Sequence, residues 1–253
     1  MDIYELRRFG AGAPPNVREI SALHAALLPA SPITLLGRRF REHFYYKDLP
    51  EMGLIFGAVA YLGGRAVGFV AATHDSNGFM ATALARMPLR VAWFVARALL
   101  ADPRRILAVW ETVWIKRDRE RSAEGLGKAE ILSLGVLPEY RSHSGLNIAR
   151  DLVQSVMETF QTSGATRVCA VIDADNQPSL RFFEKLGFRL GRARLPGWPR
   201  PSVEVVWEAG GTGSNQPPKE ESESSYRRTP IGAAGILART SWLCCARSSN
   251  RGP

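Results

Sequence analysis

The residues with the clearest chemical potential lie between positions 129 and 149, where an apolar segment leads through a polar loop into a helical pattern. The first backbone N–H groups of a helix have no internal partners and carry partial positive charge. A loop of small residues lets a diphosphate approach these groups closely, and Arg141 and His143 add positive charge. The pattern indicates an anion site, although segments of this kind more often only connect two elements.

A second polar segment follows the apolar run at 167–172, and it strengthens the interpretation. It begins at Asn176 and ends in Phe183-Glu-Lys-Leu-Gly-Phe188. Together with Val136-Leu-Pro-Glu-Tyr-Arg141, it resembles the paired motifs of the GNAT superfamily of acetyl-CoA-dependent N-acyltransferases. The resemblance covers roughly residues 50–208 and is strongest over 129–188. The early Leu-Leu-Gly-Arg-Arg-Phe and Phe-Tyr-Tyr segments further resemble one branch, which has an apolar helical insertion before the acetyl-CoA motif.

The elements that position these motifs alternate between helical and strand patterns. Asn16 is a suitable cap for a first helix, and Gly63-Gly64 joins two apolar runs as a β-hairpin would. The sequence predicts an α/β (α+β) fold, a single GNAT-like domain at 1–208 whose mixed central β-sheet is flanked by helices. The expected elements are strands near 3–8, 54–62, 67–72, 129–137, 167–172 and 203–207, helices near 16–27, 34–46, 146–162 and 178–186, and an α-helical insertion at about 84–115.

The composition of the chain excludes several classes of protein. The chain has 253 residues, 45% of them hydrophobic, and a formal net charge of +9, of which +3 lies in a polar segment at 209–253 predicted to be a disordered tail. Three cysteines exclude a disulfide scaffold, and no His or Cys stands at metal-ligand spacing. We expect no spanning helix and no signal peptide, and hence a cytoplasmic protein. As the acidic partner we expect a CoA pyrophosphate rather than nucleic acid.

The resemblance also implies site residues. Glu130, which stands eleven positions before Arg141, would be the base that accepts the amine proton, although a surface glutamate at a strand start is an equally good interpretation. The Val136 N–H would stabilise the oxyanion, and splayed strands would hold the pantetheine arm. The predicted catalytic residues are Glu130 and Val136, and the predicted cofactor-binding residues are Leu134, Val136, Arg141, Ser142, His143, Ser144, Gly145, Leu146, Asn147, Ile148, Ala149, Asn176 and Phe183.

Two features depart from the family pattern. The pyrophosphate loop is about three residues longer than usual and poor in glycine. The family's Gly-x-Gly or Gly-x-Ala then falls either on Asn147-Ile148-Ala149, which we favour because Ile148 and Leu152 then share a helix face, or on Gly145-Leu146-Asn147. The second departure is Phe183, where many members carry a tyrosine that protonates the departing thiolate. Phenylalanine has no proton to give, so water or another hydroxyl would do so.

These observations predict an N-acetyltransferase that transfers an acetyl group from acetyl-CoA to a primary amine by direct attack in a ternary complex, without a metal. We expect a small-molecule or sugar amine as acceptor, and a monomer or homodimer. The alternative is a non-catalytic acyl-CoA-binding or protein-interaction module with the same fold. Within the insertion, Leu89, Trp93, Ala96 and Leu100 share one face. That face suits a packing element, a lid over the acceptor or, less well, a peripheral membrane contact.

Overall fold

The sheet is the frame of the molecule. A computed structural model describes residues 4–101, 129–141, 146–193 and 201–210. The strands are β1 Glu5–Phe9, β2 Phe56–Leu62, β3 Arg65–Thr73, β4 Ala129–Val136, β5 Arg167–Asp173, β6 Arg189–Ala193 and β7 Ser202–Glu208. Over the described residues they form one seven-stranded sheet in the order β1-β2-β3-β4-β5-β7-β6. Among the strands that the structure describes, only β4 and β5 pair in parallel, so the predicted mixed sheet is confirmed.

Helices cover both faces of this sheet. They are α1 Val17–Leu27, α2 Pro32–Leu35, α3 Phe79–Arg86, α4 Pro88–Ala101, α5 Ile148–Thr162 and α6 Gln177–Lys185, with a π-helix at Phe40–Asp48 that continues into a single α-helical turn at Leu49–Glu51. The side chain of Asn16 caps α1 by accepting the N–H of Glu19 at 3.4 Å, as the sequence predicts. None of the described helices is long and apolar enough to cross a membrane.

Two hydrophobic cores lie on opposite faces of the sheet, because successive side chains of a strand point to opposite sides. The first core lies beneath α1 and the π-helix and includes Leu23, Phe44 and Phe69. The second core lies beneath α5 and includes Leu152 and Phe160. Residues of both sequence motifs, among them Val136 and Phe183, belong to the second core, whereas the first core lies on the other side of β4.

Several predicted elements differ from the structure. The helix expected at 34–46 is wrong in both bounds and type, since a short α2 is followed by the π-helix Phe40–Asp48. Strand β6 is absent from the sequence prediction because Arg189–Ala193 lacks alternating apolar residues. In the structure its largest apolar side chain, Leu190, is exposed. The insertion begins earlier than expected, at α3, and its predicted second half at 102–115 lies outside the described residues. So does the tail beyond residue 210, which stays a prediction.

Candidate active site

A β-bulge in the middle of β4 sets which side chains face the first core. Ser133 is opposite Ala71, whereas Ile131 is opposite the next residue, Ala72, so Leu132 is the extra residue. Leu132 belongs to the first core, while Ile131 belongs to the second. As a result, Leu132 and Ser133 both turn to the side of α1 and the π-helix, and the strand bends at this point.

Beyond the bulge, β4 separates from β5. The parallel pairing joins residues 129–131 to residues 168–170 and ends there. Residues 133–136 continue to pair with β3 on their other side, but neither they nor Leu132 have a strand partner among the described residues of β5. The two neighbouring strands therefore diverge, and a gap opens between the carboxyl-terminal halves of β4 and β5.

The backbone of Leu134 and Val136 points into this gap. The Leu137 N–H donates to the Val67 carbonyl at 2.9 Å, so these opposed residues form a hydrogen-bonded pair. Hydrogen-bonded and non-hydrogen-bonded pairs alternate along an antiparallel ladder. Val136, opposite Gly68, and Leu134, two residues earlier, are therefore non-hydrogen-bonded with respect to β3. Their N–H and C=O groups turn away from β3, toward the gap.

Arg141 lies at the end of the same gap. A short 3-10 turn at Pro138–Tyr140 follows β4, and Arg141 comes directly after it. Its Nε donates a hydrogen bond to the Val136 carbonyl at 3.0 Å. The hydrogen bond holds the positive side chain of Arg141 beside the end of β4. Its acceptor, the Val136 carbonyl, is one of the backbone groups that turn away from β3.

The amino terminus of α5 follows after Ser142, His143, Ser144 and Gly145, which lie outside the described residues. Asn147 is the cap residue of α5, and its side chain makes no capping hydrogen bond. The first N–H groups of the helix are therefore not capped by Asn147. Ile148 is buried in the second core together with Leu152, the shared face expected from the favoured register. Leu146 and Ala149 are half-buried beside them.

Glu130 is buried on the first-core side of β4, with only 5% of its surface exposed. It lies opposite Thr73 of β3 and Cys169 of β5, within the short stretch where all three strands are paired. Burial raises the pKa of the Tyr45 phenol, the Ser133 hydroxyl beside it acts in the opposite direction, and the charge of Glu130 adds to the increase. Glu130 and Tyr45 are thus close neighbours, and the surface-glutamate interpretation of Glu130 is wrong.

A buried polar network centred on His24 lies on the same side of the sheet, and none of its members is among the site residues predicted from the sequence. Its Nδ1 lies 2.6 Å from the Tyr46 hydroxyl and its Nε2 lies 2.9 Å from Ser31 Oγ. The imidazole stacks on Phe69 with ring centroids 5.3 Å apart. Burial, and secondly the charge of Arg41, lower the pKa of His24 to about 3, so the ring is neutral. The signals available in the sequence were the adjacent Tyr45-Tyr46 pair and Ser133, a polar residue between two leucines of β4.

The second motif contributes a cap and a core residue. The Asn176 side chain accepts the N–H of Ser179 at 3.3 Å and so caps α6. Phe183 is completely buried, and its ring lies 5.3 Å from that of Phe182 and 5.0 Å from that of Phe188. Packing accounts for the position of Phe183, and its contact with a cofactor stays a prediction. Within the described ranges, no group of three or more His, Cys, Asp or Glu residues could hold a metal ion.

Comparisons with known proteins identify the family and the fold. The model of the acetyltransferase (GNAT) family matches residues 20–188. Mycothiol acetyltransferase of Brachybacterium faecium is 30% identical over 119 residues, which make up 47% of this chain and 34% of that protein, so the chain spans about a third of this curated relative. The crystal structure of Arabidopsis thaliana NAA60 in complex with acetyl-CoA is similar in fold, with a TM-score of 0.50 and 17% identity over 83% of this chain and 100% of that chain. Because the family model covers more than half of the sequence, the chain belongs to the acetyltransferase (GNAT) family.

Proposed function

We propose that the protein is an N-acetyltransferase that transfers an acetyl group from acetyl-CoA to a primary amine by direct attack in a ternary complex. The observation that carries the proposal is the gap between β4 and β5, into which the backbone of Leu134 and Val136 turns. The pantetheine arm contains two amides and is extended, so it suits a strand edge whose N–H and C=O groups face it. Membership of the family supports acetyl-CoA as the donor.

The anionic end of the donor would lie at the amino terminus of α5. Helix amino termini attract phosphate because their first N–H groups lack internal partners. Arg141, held at the end of β4 by its hydrogen bond to Val136, adds a positive charge on the same path. In this arrangement the strand edge orients the thioester, and the helix and Arg141 anchor the pyrophosphate.

The transfer step requires a neutral amine, whereas a free alkyl ammonium has a pKa of about 10.4. Glu130 would accept the proton that the amine loses. The neutral amine nitrogen then forms a bond to the acetyl carbonyl carbon and becomes positively charged, so it gives a second proton to water. As the tetrahedral intermediate collapses, the C–S bond breaks and CoA leaves as a thiolate that takes a proton from water. The Val136 N–H, which turns toward the gap, would stabilise the negative oxygen of the tetrahedral intermediate. Phe183 takes no part in proton transfer.

The acceptor side is the first-core face of β4, where Glu130 lies beside Tyr45. We propose a small-molecule or sugar amine as the acceptor. The mycothiol acetyltransferase of Brachybacterium faecium supports a small-molecule acceptor over a protein, although it matches over only part of its length. Comparison of a glucosamine, a polyamine and a peptide amino terminus would distinguish these classes.

The test is thiol release from acetyl-CoA by the full chain in the presence of that panel. We expect release that depends on one class of small amine, with the acetylated amine identified by mass spectrometry. The alternative is a non-catalytic acyl-CoA-binding module, which Phe183 and the glycine-poor loop motivate. Calorimetry of CoA binding, measured beside turnover, distinguishes this module from an enzyme. CoA binding without turnover of any acceptor would favour that module and contradict the enzyme.

A further inference from the structure

Helix α4 is apolar on two opposite faces. Its inner face packs on the π-helix: Val91 is buried, and the ring of Phe94 lies 6.4 Å from those of both Phe40 and Phe44. Arg90 fastens the same helix by an ion pair of 3.0 Å with the buried carboxylate of Asp48. The inner face therefore accounts for how α4 is held on the domain.

The outer face of α4 is a stripe of large apolar side chains in solvent. Leu89 is 86% exposed, Trp93 63% and Leu100 88%, and Ala96 lies between them on the same side of the helix. The preceding α3 also carries an exposed large apolar side chain, Leu84, at 47%. A soluble surface helix normally places polar residues opposite its buried face. A contiguous apolar stripe in this position indicates a surface that a partner covers.

The charged residues within α3 and α4 themselves have one sign. Residues 79–101, which contain α3 and α4, include Arg86, Arg90 and Arg97 but no Asp or Glu. Arg86 and Arg97 are exposed, and Arg97 lies at the edge of the stripe. The whole chain has a net charge of +9. An isologous pairing of two copies through this stripe would bring like-charged arginines together, whereas a negatively charged surface would attract them.

We propose that the outer face of α4, with Leu84 of α3, docks the protein on the surface of an anionic phospholipid bilayer. Leucine and tryptophan on one side with arginine at the edge are the composition of helices that lie in the headgroup region. The 14 residues of α4 give a length of about 21 Å, which is shorter than a bilayer core of about 30 Å. The helix therefore lies along the surface.

This inference does not depend on the proposed acetyl transfer. It has one geometric consequence for that site: α4 packs on the π-helix, which carries Tyr45 beside Glu130. The docked surface and Glu130 thus lie on the same side of the sheet.

The test is co-sedimentation of the full chain with vesicles of phosphatidylcholine alone and of phosphatidylcholine mixed with phosphatidylglycerol. We expect binding to the anionic vesicles that weakens with added salt. The double substitution Leu89→Ser with Trp93→Ser should reduce partitioning on the order of tenfold or more. Leu190→Ser is the matched control, because Leu190 is as exposed as Trp93, at 63%, but lies on β6. It should bind like the unsubstituted chain.

Two further measurements test the contribution of charge to vesicle binding and the self-association of the chain. Arg97→Gln should weaken binding to anionic vesicles about fivefold and leave phosphatidylcholine binding unchanged. Absence of binding to anionic vesicles, or equal binding by the Leu89→Ser/Trp93→Ser chain, would overturn the proposal. So would sedimentation velocity that shows a dimer which this double substitution dissociates, because the stripe would then be covered by a second copy.

Discussion

The guanidinium of Arg141 donates a hydrogen bond from Nε to the main-chain carbonyl of Val136, across 3.0 Å. That carbonyl is available because Val136 belongs to a non-hydrogen-bonded pair with β3. The contact therefore depends on the divergence of β4 from β5. The contact joins the start of the proposed pyrophosphate loop to the strand edge proposed for the pantetheine arm. Arg141 therefore links the two parts of the proposed donor site.

Replacement of Arg141 by alanine should weaken acetyl-CoA binding. The substitution removes a positive charge and a charged donor, whose hydrogen bonds contribute about 1.5–3 kcal/mol, so we expect a rise in KM for acetyl-CoA on the order of tenfold. Arg18→Ala is the control, since Arg18 is exposed on α1, away from the proposed donor site, and carries the same charge. Equal effects of the two substitutions would mean that only net charge matters.

Glu130→Gln tests the proposed base. The substitution keeps the size of the side chain but removes its ability to accept a proton, so kcat should fall by about 10²–10⁴-fold while KM for acetyl-CoA stays unchanged. The pH–rate profile of Glu130→Gln should differ from that of the unsubstituted chain. Glu51→Gln, which changes an exposed carboxylate elsewhere, provides the control. An unchanged profile in Glu130→Gln would show that another group takes the proton.

His24 should make stability depend on pH. Its pKa is about 3 in the folded protein, against 6.5 for an unperturbed histidine, so the unfolded chain binds more protons between these values. The free energy of unfolding therefore decreases as the pH falls below 6.5, by up to about 1.4 kcal/mol for each pH unit. Urea denaturation across pH 7 to pH 4 would measure the slope.

The matching variants separate this effect from general acid denaturation. His24→Gln should be less stable near neutral pH, because the contacts with Tyr46 and Ser31 change, but should lose less stability on acidification. His43→Gln should keep the original slope, since His43 is exposed. A slope that persists in His24→Gln would exclude His24 as its source.

Gly135 is required by the close approach of α1 to β4. A Cβ at this position would lie 2.8 Å from Leu27 Cδ1 and 3.1 Å from Phe69 Cε1. Gly135→Ala should destabilise the protein by about 1–3 kcal/mol, as overpacking in a core does. Gly10→Ala is the control, because its Cβ would meet nothing closer than 3.4 Å. Equal urea midpoints for the two variants would contradict this account.

Features with a strong local pattern could be predicted from the sequence. The hairpin between β2 and β3 follows from Gly63 and Gly64, both of which have positive φ, and α5 follows from the spacing of its buried residues. The mixed sheet and the family follow from two motifs at the correct separation. The prediction that Leu134 and Val136 line a gap between splayed strands also agrees with where the pairing of β4 with β5 ends, although their binding role stays a prediction.

The remaining features depend on tertiary contacts. The spacing of Leu36, Phe40 and Phe44 is the same for an α-helix as for the start of a π-helix, and only packing of Tyr45 and Tyr46 together against the first core decides between them. The bulge at Leu132 changes the face of Ser133 without changing the residue pattern. The outer face of α4 could be recognised as a stripe, but its exposure could not, because the same stripe would be typical of a buried helix.

The central claim is that acetyl-CoA binds along the open edge of β4 and delivers its thioester on the side of Glu130. A crystal structure of the full chain with CoA and an amine acceptor tests it most directly. The account predicts that the pantetheine amides hydrogen-bond to the backbone of Leu134 and Val136, with the pyrophosphate at the amino terminus of α5 near Arg141. A structure in which β4 and β5 pair along their whole length, or in which CoA binds away from this edge, would contradict it.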